Sequence, residues 1–132
     1  MNNQHLELAQ HWLRKADNDL VTARQTLLLS GGPTDTPCFH AQQAIEKALK
    51  ALLTVAEIPF QRIHDLSRLL DQALPLLPAL ESFRESLATI SNYAVDTRYP
   101  EVTSDPTRQE AVEALAIAEK VMAMIRAEIE PD

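Results

Sequence analysis

The amino-acid sequence predicts an all-α fold: an antiparallel up-and-down helical bundle of four long helices plus one short helix, in a single domain spanning residues 1–132. Three observations lead there. Apolar residues recur at steps of three and four, the period of a helix face. The only glycines are Gly31 and Gly32, and none of the eight prolines interrupts a stretch with a clear helical period. No alternating strand pattern of useful length appears. At 132 residues and 45% hydrophobic content, the chain is one domain's worth. It can bury roughly two-thirds of its unfolded surface without a disulfide or metal staple.

The first helix is predicted over about 3–30. Leu6, Ala9, Leu13, Ala16, Leu20, Ala23 and Leu27 form a heptad-spaced seam in which leucine alternates with alanine, so a neighbouring helix can approach along the alanine row. Gly31 supplies a C-cap and Pro33 forbids continuation. The second helix, about 36–57, takes Thr36 as N-cap and Pro37 as first helical residue. Ala41, Ile45, Ala48, Leu52 and Val55 form its seam, widened by Ala44, Leu49, Ala51 and Leu53, which makes it the most deeply buried helix by composition. A short third helix, about 64–73, has one side of leucines (Leu66, Leu69, Leu70, then Leu74) and is expected to cross one end of the bundle. The fourth, about 78–97, steps through Leu80, Phe83, Leu87, Ile90 and Ala94. The fifth, about 106–130, takes Asp105 as N-cap and Val112, Leu115, Met122, Ile125 and Ile129 as its seam, interrupted by Glu119. Short connections between them favour antiparallel neighbours.

Twelve basic against nineteen acidic residues give a net charge of −7. So acidic a chain is a poor generic binder of duplex DNA, whose affinity comes largely from phosphate neutralisation. One cysteine, Cys38, excludes an internal disulfide framework. It sits near a predicted helix N-terminus, which lowers a thiol pKa, but it reads first as a buried or partly buried structural cysteine. The polar start MNNQHLELAQHW has no signal-like apolar region, and no stretch approaches a membrane span. The expectation is a cytoplasmic domain away from membranes.

Metal chemistry finds little support. No Asp or Glu has a histidine three residues later, as a di-iron bundle would need. Glu7 and His11, at i and i+4, read as a surface pair. Cys38-x-His40 lacks a second ligand pair. A phosphate-binding glycine loop is excluded by the glycine count. No metal, cofactor or catalytic residue is therefore assigned.

Charge distribution is more informative. Residues 40–68 carry four basic and three acidic side chains, leaving −8 for the rest. On helix two, His40, Gln43, Lys47 and Lys50 lie opposite Ile45. Such a stripe is either a solvated face or a row of donors for a phosphate, a base or a partner. A second cluster is Tyr93-Ala-Val-Asp-Thr-Arg-Tyr-Pro100. Arg98 near a helix C-terminus complements the macrodipole, and beside two tyrosines it also suits clamping a phosphate while a ring stacks on a base.

The run CFHAQQAIEKALKALL, residues 38–53, resembles the second helix of HEPN domains. His64-Asp65-Leu66 and the run NYAVDTRYP, residues 92–100, are similar to the same family in the same order. The resemblance covers nearly the whole chain. It implies a helical bundle that commonly dimerises, nucleotide binding, and association with a minimal nucleotidyltransferase. Some members are toxin ribonucleases with an Arg, four to six residues, then a His, two copies meeting across a dimer cleft. Here the place of that His falls on Thr103, Ser104 or Asp105, and no histidine follows Arg98.

The resemblance and the residues together give the expectation of a non-catalytic HEPN module binding a nucleotide or a nucleotidyltransferase partner, in a toxin–antitoxin-type pair and as a homodimer. Its contacts would be Gln43, Lys47, Arg98 and Tyr99, with His40, His64 and Tyr93 secondary. Alternatives are a metal-independent RNA-cleaving toxin pairing Arg98 with His40 or His64, and a homodimeric scaffold without ligand.

Overall fold

The computed structural model describes residues 3–60, 62, 64–96 and 105–131. Among them the regular structure is entirely helical. Three long helices, α1 (Asn3–Leu27), α2 (Asp35–Val55) and α6 (Arg108–Ile129), accompany a short α3 (Leu66–Ala73). The expected fourth long segment is jointed: a 3-10 turn (Pro78–Phe83) runs into α4 (Arg84–Ser91), and α5 (Tyr93–Asp96) follows after Asn92.

The heptad reading of α1 holds residue by residue. Ala9, Leu13, Ala16, Leu20, Ala23 and Leu27 are all buried, with Leu6 partly so. The helix ends at Leu27, and Gly31, at φ 75°, makes the left-handed turn that L-residues disfavour. α2 is the central strut: fourteen of its 21 residues are buried, and it packs on α1, α6, α3 and α5. Ion pairs fix directions. Asp19 meets Lys47 while His5 meets Glu57, so α1 and α2 are antiparallel. Asp17 meets Arg126 while Arg24 meets Glu119, so α1 and α6 are antiparallel too.

Several boundaries differ from the sequence reading. α2 starts at Asp35 rather than after Thr36, because the Asp35 carboxylate accepts the Thr36 N–H at 2.8 Å and so satisfies an orphan donor of the first turn. α6 is capped by Thr107 rather than Asp105: Thr107 Oγ1 accepts from Glu110 N–H and Glu110 returns the bond to Thr107 N–H, a reciprocal box that one cap residue alone cannot form. Val112 leaves the α6 seam at 43% exposure; Ala111, Ala114, Ala118 and Val121 fill its place, because small residues let α6 approach α2 closely. Asp65 caps α3 by accepting from Ser67 N–H.

Candidate functional site

The site grows from one face of α2. Gln42, Glu46, Lys50 and Thr54, spaced by four, form a polar row that is buried rather than solvated. Burying polar groups in an apolar interior costs free energy unless each finds a partner. Gln42, Glu46 and Lys50 do, and among the described residues no fully buried side-chain nitrogen or oxygen lacks one.

Glu46, 4% exposed, is the hub. Its Oε2 accepts from Lys50 Nζ at 2.9 Å, and its Oε1 accepts from Gln42 Nε2 at 3.1 Å and from His64 Nδ1 at 2.8 Å. Burial alone would raise the Glu46 pKa. The hydrogen bonds from Lys50, His64 and Gln42 outweigh it and hold the carboxyl below its ordinary value, so it is ionised at neutral pH. An ionised carboxylate only accepts, hence Nδ1 of His64 carries the proton and Nε2 is left for whatever lies outside. The Lys50 ammonium lies 5.7 Å from the Trp12 ring centroid and 5.6 Å from that of Phe60, the two rings meeting edge to face at 6.4 Å.

The main chain of His64 is held as well. Its carbonyl accepts from Gln42 Nε2 at 3.3 Å and from Ser91 Oγ at 3.2 Å, while Ser91 Oγ accepts the Leu66 N–H. The loop that delivers it leaves α2 through Glu57, whose φ of 59° is the one left-handed non-glycine among the described residues.

A second hub sits on the α1 side of α2. Asp19 accepts from His40 Nδ1 at 2.7 Å through one oxygen and from Lys47 Nζ at 2.6 Å through the other. Asp19 is buried, whereas the His40 and Lys47 side chains stay about a quarter exposed. Gln43, between the hubs, donates to Gln42 Oε1 at 2.7 Å.

The structure thus places five of the sequence-assigned contacts. His40 and Lys47 come together on Asp19. Gln43 links to the Glu46 hub, which holds His64 on the opposite flank of α2. Tyr93 is buried where α5 meets α2, its hydroxyl bonded to Cys38. Arg98 and Tyr99 lie outside the described residues. Burial also settles the thiol: it pushes Cys38 up to about 11, more than the Tyr93 hydrogen bond lowers it, so its place in the first turn of α2 does not make it reactive.

Sequence reasoning missed Asp19, Gln42, Glu46, Trp12 and Phe60, and left Lys50 in a stripe open to two readings, a solvated face or a row of donors; it is buried. Two spacings carried the signal. Gln42, Glu46 and Lys50 stand at i, i+4 and i+8. His5, Trp12 and Asp19 recur every seven residues beside the α1 seam, and all three face α2. No cluster of three or more potential ligands fit for a metal occurs among the described residues, and none of their helices is long and apolar enough to cross a membrane.

A HEPN domain family model matches residues 9–128. A protein of Methanocaldococcus jannaschii named "Putative toxin MJ1304" is 27% identical, over 92% of this chain and 88% of its own length. The crystal structure of TT1696 from Thermus thermophilus superposes with a TM-score of 0.79 at 32% identity, covering 91% of this chain and 97% of that one. That of ST0689, described as an archaeal HEPN homologue, gives 0.72 at 28% identity, covering 92% and 98%.

Proposed function

The chain belongs to the HEPN domain family, and from that premise we propose that it is a non-catalytic HEPN module that binds a nucleotide or a nucleotidyltransferase partner, working in a toxin–antitoxin-type pair. The observation that carries this reading is the polar arc of α2. Two buried carboxylates, Asp19 and Glu46, each hold one lysine and one imidazole, and the imidazoles reach solvent. With neutral imidazoles the four acidic and basic charges cancel. With protonated ones the arc is positive, which suits an anion in an otherwise acidic chain.

Gln43, His40 and Lys47 are the proposed polar contacts on the α1 flank and His64 the one on the other. Arg98 and Tyr99 follow α5, which packs on α2, and stay in the proposal for their chemistry: a guanidinium fork for phosphate and a ring for a base. The toxin description of a relative supports the paired role. A homodimer is part of the reading; light scattering at micromolar concentration should give about twice the chain mass of 14.7 kDa.

The test is titration with AMP, GMP and ATP, followed by the fluorescence of Trp12, the single tryptophan, together with co-purification against a minimal nucleotidyltransferase from the same genome. Quenching that saturates, or a stoichiometric complex, is expected. Neither response, or metal-independent RNA cleavage by the pure protein, would replace the reading.

A further inference from the structure

Two costs in this molecule converge on one half-exposed side chain. The first is electrostatic. A buried carboxylate, a buried lysine and a fully buried glutamine are gathered around the His64 Nδ1–H. Such a group is on average no more stable than an apolar cluster of the same volume. The second is conformational: the loop departs through a left-handed Glu57, and backbone outliers are kept where the surrounding structure has a use for them. The outcome is an imidazole fixed from both ends, by Glu46 on the ring and by Gln42 and Ser91 on the carbonyl, with Nε2 as its unassigned atom. A stapled loop needs the carbonyl bonds alone. The carboxylate on Nδ1 adds something else: it sets the tautomer and leaves Nε2 as the acceptor.

Resting on the nucleotide-binding reading above, we propose that His64 is the phosphate-binding group of the ligand site, taking up a proton at Nε2 as the anion docks, and that Glu46 is its positioning residue. The phosphate monoester docks as its dianion while Nε2 takes one proton from the buffer; the imidazolium then bonds both the dianion outside and Glu46 inside. No covalent bond is made or broken. Lys50 neutralises Glu46 in the empty state, so the carboxylate does not repel the incoming anion. Besides Glu46 and Lys50 from α2, the charged neighbours in the loop are Arg62 and Asp65, the latter paired with Arg68. Ser91 from α4 brings no charge. The Trp12 and Phe60 rings lie against the Lys50 ammonium.

The experiment is isothermal titration with AMP and inorganic phosphate, in two buffers of different ionisation enthalpy, on wild type, His64→Gln and Glu46→Gln. Wild type should bind with net proton uptake. His64→Gln should weaken AMP binding by roughly tenfold or more, as loss of a charge-assisted hydrogen bond does. Glu46→Gln should weaken it as well and abolish the proton uptake, a change that a merely structural Glu46 would not produce. Because Glu46→Gln strips Lys50 of its partner, Gln42→Leu serves as a second positioning variant if the first does not fold. His64→Gln, at a half-exposed site, decides in either case. Wild-type affinity and proton uptake in His64→Gln would overturn this inference and leave nucleotide binding standing. Absence of AMP and phosphate binding to wild type would end both.

Discussion

Glu46→Leu should destabilise the fold by about 3 kcal/mol, and adding Lys50→Met should recover most of the loss. The magnitude comes from the environment of the ammonium. Lys50 has a side chain 9% exposed, and Glu46 is its one carboxylate, at 2.9 Å. Removing one partner of a buried pair costs about 3–5 kcal/mol, because the other charge is left desolvated. The lower end applies here, since the Trp12 and Phe60 faces still hold the ammonium and contribute on the order of 1 kcal/mol. In the double variant no charge is stranded, and an apolar pair of similar volume is tolerated. A residual deficit of about 1 kcal/mol should remain, because Gln42 and His64 each lose a hydrogen bond to Glu46. Urea unfolding followed by far-UV circular dichroism reads all three proteins, with the midpoint moving and the slope constant. A single-variant cost below about 1 kcal/mol, or a double variant no more stable than the single, would show that Lys50 is not held as described.

Three further outcomes are expected. Leu20→Ala and Leu52→Ala, each 2% exposed on facing helices, should each cost roughly 2–5 kcal/mol in the same unfolding assay. Stability should depend on pH at both ends. The folded pKa of Glu46 is depressed, so its contribution is complete above the unfolded value of 4.5 and lost as pH falls through the folded one; that of Cys38 is raised from 9.0 to about 11, so its contribution is complete below pH 9 and lost as pH rises toward 11. Thermal melts of wild type and Cys38→Ala across pH 8–11 should therefore converge at the alkaline end. Finally, Glu57→Gly should stay within about 0.5 kcal/mol of wild type or gain, since relief of left-handed strain offsets the entropy of glycine, whereas Glu57→Val should lose more than about 1 kcal/mol.

The bundle was legible because its signal is periodic and its punctuation sparse. The α1 seam could be written down from spacing alone, and Gly31 marked its turn. The joint at Asn92 was not legible, because Leu87, Ile90 and Ala94 keep helical spacing across it. The site was half legible for a different reason. Residue type assigns Glu, Lys and Gln to the surface, and only pairing across elements overrides that preference. His40 and Lys47 were marked as one polar row, but the carboxylate that joins them, Asp19, belongs to another helix and lies 28 residues before Lys47. Long-range partners of this kind leave no trace in local spacing unless both helices are laid side by side.

The alternation of leucine and alanine along α1 has a hidden ambiguity. Leu6, Leu13, Leu20 and Leu27 are separated by seven, as are Ala9, Ala16 and Ala23. Sliding α1 along α2 by two turns would therefore return leucine onto leucine and alanine onto alanine, and the apolar contact would hardly notice. The row His5, Trp12 and Asp19 repeats at the same interval but changes chemistry at each step. A slip in one direction would stand Trp12 against His40 and Lys47; a slip in the other would bring Asp19 to the Glu46 hub. Buried pairs that add little net stability thus select one alignment among near-equals, as a lone buried polar residue does in coiled coils. In this protein the groups proposed to meet a ligand are also the notches that index one helix against its neighbour.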